Sequence, residues 1–153
     1  MYLQRPDSLK RDIDKKGEYR MYKPFEYKYD DKRRCELLGL AYPPRYGLGG
    51  IAEFRDLKRE QFEALLEENF LYPLDRQNEA PTAQEIYEFV EQYPEVTVHG
   101  YIIAPNRSDY RVTIEGIEYH GNVSDKMRKD YTSMFRHADD FVCDSDYLYC
   151  WFD

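Results

Sequence analysis

The hydrophobic positions change period several times along the chain, and each change marks an element. Two runs rich in β-branched and aromatic residues, Val96-Thr-Val-His-Gly-Tyr-Ile-Ile103 and Tyr110-Arg-Val-Thr-Ile-Glu-Gly-Ile117, flank five turn-forming residues, Pro105-Asn-Arg-Ser-Asp109. That arrangement predicts a β-hairpin. Placing Ala104 opposite Tyr110 sets its register, and the register decides which side chains share a face. Val98, Gly100, Ile102 and Ala104 then lie with Tyr110, Val112, Ile114 and Gly116. The other face carries His99 opposite Glu115, Tyr101 opposite Thr113, and Ile103 opposite Arg111. The first set reads as core and the second as a small polar cluster. Beyond Gly116 the apolar residues move to odd positions, Ile117 and Tyr119, so a bulge is expected at Gly116.

Helical spacing appears in three other stretches. Thr82-Ala-Gln-Glu85 has the form of a capping box, and Ile86, Phe89, Val90 and Tyr93 follow at helical intervals until Pro94. Phe62, Leu65, Leu66 and Asn69 keep a 3.6-residue repeat that predicts a helix opening at Asp56 and running to about Phe70. Ser124 or Asp125 caps a helix with Met127, Tyr131, Met134, Phe135 and Ala138 on one side.

The remaining segments carry weaker patterns. Ser8 to Lys16 is predicted as a short helix stopped by Gly17. Glu18 to Tyr29 alternates loosely and reads as an edge or interrupted strand, because Pro24 removes a ladder donor. Cys35 to Gly50 is the least regular part, and Tyr72 to Pro81 reads as an extended linker. The run Tyr147-Leu-Tyr-Cys-Trp-Phe152 is apolar throughout, which predicts a last strand buried on both faces. These elements assemble into an α+β fold: one domain, with an antiparallel sheet of three to four strands and two or three helices packed against it.

Composition adds one constraint on the core. Leu, Ile, Val and Phe together make up about a fifth of the chain, close to the level at which chains stop folding. With 16 Tyr, 8 Phe and one Trp, aromatic rings must supply the missing core area. The same tyrosines suit a recognition surface.

Charge divides the chain. Residues 1–34 hold 11 Lys and Arg against 7 Asp and Glu, leaving 11 against 23 for the remainder. Residues 1–17 are accordingly expected to form a basic, solvated N-terminal arm, and residues 18–153 the globular domain. The acidic body would repel phosphate backbones and anionic membranes, which argues against direct nucleic-acid binding and for a basic protein partner. A second copy of the chain is also compatible with this surface. Three cysteines, none closely spaced, do not make a disulfide framework and suit a reducing, cytoplasmic compartment. No apolar run approaches the ~20 residues of a membrane span.

Candidate chemistry is sparse. The polar hairpin face gathers His99, Tyr101, Arg111, Thr113 and Glu115, a set suited to ligand binding or acid–base work. No nucleophile elbow, metal-ligand spacing or nucleotide loop accompanies it. Gly47-Leu-Gly-Gly50 lacks the preceding strand and following Lys of a phosphate cradle. Pro43-Pro-Arg-Tyr46 has the form of a WW-domain ligand, but reads more simply as a proline turn over the core. The sequence therefore points to a non-enzymatic binding or protein-interaction module with no cofactor, no metal and no catalytic residue. The alternative is a small-ligand-binding protein or enzyme using the polar face of the 96–120 hairpin.

Overall fold

A computed structural model describes residues 10–13, 19–22 and 25–153. Strands β1 (Lys10–Ile13) and β2 (Tyr19–Tyr22) pair antiparallel as a separate two-stranded sheet. The short helix expected over Ser8 to Lys16 is thus replaced by a strand across its centre; its two ends lie outside the described residues. The chain continues through α1 (Asp31–Leu38), β3 (Ile51–Leu57), α2 (Arg59–Glu67), α3 (Ala83–Gln92), β4 (Thr97–Ile103), β5 (Val112–His120), α4 (Asp125–Phe135), β6 (Asp140–Cys143) and β7 (Tyr147–Trp151). The main sheet is antiparallel in the order β3-β4-β5-β7-β6. The α+β class stands, but the sheet has five strands and the described residues hold four helices, each more than the sequence pattern predicts.

The extra elements are short ones with little apolar periodicity. Helix α1 is capped by Asp30, whose side chain accepts from the Arg33 N–H, and stopped by Gly39 in the left-handed conformation. The two signals flank Asp31-Lys-Arg-Arg-Cys-Glu-Leu-Leu38, yet the helix buries Arg34 and so hides its own inward face. Strand β6 lies in the Asp-rich stretch before the last strand; Phe141 and Cys143 face inward there, opposite Cys150 and Leu148.

Asp56 does not open a helix. It lies in β3 with φ 58°, at an irregularity where Phe54 pairs with Gly100 and Leu57 with Val98. One extra residue in the strand turns both Phe54 and Leu57 into the core, and their separation of three mimics a helical interval. Helix α2 begins only after Lys58, whose N–H is accepted by the Gln61 side chain. Helix α3 follows its sequence signature: Thr82 accepts from the Glu85 N–H, and the Glu85 carboxylate accepts in return from the Thr82 N–H.

The inner sheet face and the helices form one core. Phe54, Leu57, Val98, Ile102, Val112, Ile114, Ile117, Leu148 and Cys150 meet Phe62 and Leu65 of α2, Ile86, Phe89 and Val90 of α3, and Met127, Tyr131 and Phe135 of α4. Tyr131 is fully buried and its hydroxyl donates to the Val142 and Tyr149 carbonyls, joining α4 to β6 and β7. In β7 only Leu148 and Cys150 are buried; Tyr147, Tyr149 and Trp151 face outward and stay half-buried. The strand is therefore not buried on both faces, because its outward positions are aromatic and conceal an ordinary alternation. Tyr46 of the proline-rich loop packs on the core, its hydroxyl held by Asp31 and Arg34. Among the described residues no helix is long and apolar enough to cross a membrane.

Candidate functional site

The hairpin register departs from expectation at one place, and that departure builds the site. Gly100 pairs with Ile114, Tyr101 with Thr113 and Ile102 with Val112, as Ala104 opposite Tyr110 requires. His99 then pairs with Gly116 rather than Glu115, and Val98 with Ile117. Glu115 is the extra residue of the bulge, immediately before Gly116. Its carbonyl accepts instead from the Phe152 N–H at 2.8 Å, beyond the end of β7.

The β3 irregularity lies beside this one, so β4 is flanked by two bulges at the level of His99 and Gly100. Bulges bend their strands and increase local twist. At this level the outer sheet face holds a concavity of about 400 Å³, lined by Glu53, Arg55, His99, Glu115, Tyr149 and Trp151 with the backbone of Gly100. Four strands contribute to it.

The five candidate side chains divide into two groups. Tyr101, Arg111 and Thr113 are buried together at the hairpin tip. The Arg111 guanidinium donates to the Tyr101 hydroxyl (2.9 Å), to Thr113 Oγ1 (3.0 Å) and to the Asp109 carboxylate (3.1 Å). Gln77, from the segment between α2 and α3, closes this cluster over the Tyr101 hydroxyl at 3.5 Å. Against the cost of burial, hydrogen bonds and charge from Arg107 and Arg111 hold the Asp109 carboxyl below its ordinary range. The cluster is internally satisfied and fastens the hairpin tip.

His99 and Glu115 belong to the concavity. Gly116 has no side chain there, and the imidazole of His99 lies over it, with Nε2 2.9 Å from the Cys150 carbonyl of β7. A carbonyl only accepts, so Nε2 carries the proton and Nδ1 the lone pair in the neutral ring. Burial lowers the His99 pKa, against the opposing pull of the Cys150 carbonyl and Glu118. The ring also stacks on Tyr149, with centroids 5.2 Å apart and planes 9° from parallel.

Glu115 Oε2 accepts from the Trp151 indole N–H at 3.1 Å. Burial pushes the Glu115 carboxyl up to about 7, aided by the charges of Glu53 and Asp153 and opposed by the indole hydrogen bond. A carboxyl raised in this way stabilises the fold while neutral, fully below its unfolded value, and loses that contribution as pH rises through about 7. Glu115→Gln is therefore expected to leave stability nearly unchanged near pH 4.5. It should raise it at pH 8 by on the order of 1–2 kcal/mol after allowing for partial solvent screening. Urea unfolding of both proteins at the two pH values measures this; an equal difference at both would show that ionisation is not its source.

Arg55 and the aromatic pair were not among the residues the hairpin pattern selects, and neither was Glu53. They come from β3 and β7, which are distant in sequence. The alternation of β7 and its single Trp could have signalled Tyr149 and Trp151, whereas no local pattern marks Glu53 and Arg55 on the bulged strand β3. Arg55 Nη2 lies 3.6 Å from Glu118, whose other oxygen accepts from the Tyr147 hydroxyl at 2.7 Å. Among the described residues no group of three or more His, Cys, Asp or Glu side chains is placed to hold a metal ion. The arrangement combines two carboxylates, a neutral imidazole with an available lone pair, and two aromatic rings. Comparison of this chain with protein-family models, with curated proteins and with solved structures finds no match.

Proposed function

We propose that this chain is a non-enzymatic binding module of the cytoplasm whose recognition surface is the outer face of the main sheet. One observation carries the reading: four strands converge on a concavity that holds half-buried Trp151 and Tyr149 beside carboxylates with no ion-pair partner among the described residues. Aromatic side chains at the centre of a recess are the usual source of binding energy, and their polar surroundings set orientation. The acidic body would draw a basic partner toward it.

Affinity capture from the source cells tests this with the wild type and Trp151→Ala, each first shown to be folded by circular dichroism. The variant is expected to lose about thirtyfold or more in affinity for the retained partner, the loss typical of a central aromatic. Undiminished capture would move the binding surface elsewhere.

A second reading places acid–base chemistry in the same concavity. It is favoured by Glu115, which exchanges its proton near neutrality close to Glu53 and the Nδ1 lone pair of His99. Under that reading Glu115→Gln would abolish turnover while leaving ligand affinity intact.

A further inference from the structure

We infer that the ligand of this concavity is a single cationic side chain, Lys or Arg, presented by a protein partner and received between the carboxylates of Glu53 and Glu115 beside the rings of Trp151 and Tyr149. The inference rests on the outer sheet face being the binding surface, and goes beyond it by naming what the recess selects.

The charges around the recess lead to this ligand by elimination. Arg55 is the cation in its wall, and that guanidinium is turned to Glu118. His99 donates through Nε2 to the Cys150 carbonyl, and burial favours its neutral form. Glu53 and Glu115 remain, from β3 and β5, and neither is within ion-pair distance of a cation among the described residues. Asp153 adds negative charge at Glu115 from the end of the chain. An anionic ligand would meet these acids without a free cation to offset them. A neutral apolar one would cover the Glu53 and Glu115 carboxyl groups without offering either a hydrogen-bond partner. An ammonium or guanidinium satisfies both carboxylates and gains from the aromatic rings, which attract cations over their faces.

Size and steering agree. A volume of about 400 Å³ is at the lower end of ligand sites, suited to one long side chain rather than a folded element. The indole N–H fixes Glu115 Oε2 and leaves the second oxygen of the carboxylate to accept from the ligand. The excess of 23 acids over 11 bases in residues 35–153 would accelerate encounter with a basic partner.

The site also couples binding to protonation. A cation pairs with ionised Glu115 and not with the neutral acid, so binding expels the proton that Glu115 holds near neutral pH. The groups facing this carboxyl are Glu53 and Arg55 from β3, His99 from β4, Tyr149 and Trp151 from β7, and Asp153. With its pKa near 7, affinity should fall about tenfold from pH 8 to pH 6.

The chain has one Trp, so its indole N–H gives a single, assignable resonance. The test titrates the intact protein with a short peptide bearing one Lys and with the same peptide carrying acetyl-lysine, at pH 6 and pH 8. The Lys peptide is expected to shift the indole resonance, about tenfold more tightly at pH 8, and the acetylated twin to bind at least tenfold more weakly. Glu115→Gln should remove the pH dependence, and the exposed Glu53→Gln should weaken binding while keeping it. Equal binding of the two peptides at the indole would overturn the cationic assignment and leave the recess as the binding surface. A natural partner that binds without moving the indole resonance would overturn the binding surface itself, and this inference with it.

Discussion

Gly116→Ala is expected to destabilise the protein by more than about 3 kcal/mol, a larger loss than overpacking usually brings. A Cβ at this position would lie 1.9 Å from the Cys150 carbonyl oxygen, 2.8 Å from the carbon that bears it and 2.9 Å from His99 Nε2. Two of these atoms are backbone of β7, so β5 and β7 must separate to admit a methyl group. Neither strand can yield easily. Cys150 is fully buried against the helices, and the Glu115 carbonyl is tied to the Phe152 N–H. The glycine is required here for space and not for backbone freedom, since its φ lies outside the left-handed region that Gly121 occupies. The substitution also displaces the His99 ring and removes its hydrogen bond to Cys150. Urea unfolding checks the prediction; a loss below about 1 kcal/mol would mean that the sheet relaxes around a methyl group at little cost.

Arg34→Met should cost about 3–5 kcal/mol, because it leaves buried polar groups without their donor. Arg34 is 0% exposed and joins α1 to the hairpin tip. Its Nη2 donates to the Ile103 carbonyl at 2.8 Å, to Asp31 at 2.9 Å and to the Tyr46 hydroxyl at 3.0 Å. Its Nη1 donates to the Arg111 carbonyl at 3.2 Å, and the guanidinium carbon lies 4.1 Å from the centre of the Tyr110 ring. Methionine fills the volume and supplies no donor, so the Asp31 carboxylate stays nearly enclosed without a counter-charge. Thermal unfolding should show a drop of about 10 °C. Asp31→Asn introduced together with Arg34→Met should recover part of it, because the stranded charge is then gone. A double variant no more stable than the single one would place the loss in the carbonyl contacts instead of the ion pair.

These two residues show how legibility varied along the chain. Gly116 was legible: the parity change at Ile117 announces a bulge, and the bulge is there. The register set by Ala104 opposite Tyr110 put His99 opposite Glu115, one residue away from its real partner Gly116, because a bulge shifts every pair beyond it. Arg34 was not legible. A buried arginine looks like a solvated one in sequence, and helix α1 was lost with it. Asp56 was misplaced for a related reason, since the bulged strand β3 imitates helical spacing between Phe54 and Leu57.

The candidate site divides along the same line. His99 and Glu115 could be chosen from the hairpin because strand alternation is local. Tyr101, Arg111 and Thr113 share that alternation, yet at the hairpin tip they form a closed cluster with Asp109 and Gln77. Whether a polar face is open or covered depends on which distant segment crosses it, and alternation carries no information about that.

Local signals in the chain suffice for the capped helix from Thr82, the helix from Ser124, the paired strands around residues 105–109 and the α+β class. Their physical basis is the hydrogen bonding and side-chain periodicity of neighbouring residues, which operate before any tertiary contact forms. Tertiary structure alone decided the fifth strand, the buried role of Arg34 and the recess where Glu53, Arg55, His99, Glu115, Tyr149 and Trp151 meet. That recess requires two bulges on strands β3 and β5 to reach the same level beside β4. Such coincidence is set by the register between distant strands, where core burial on the opposite face selects the pairing.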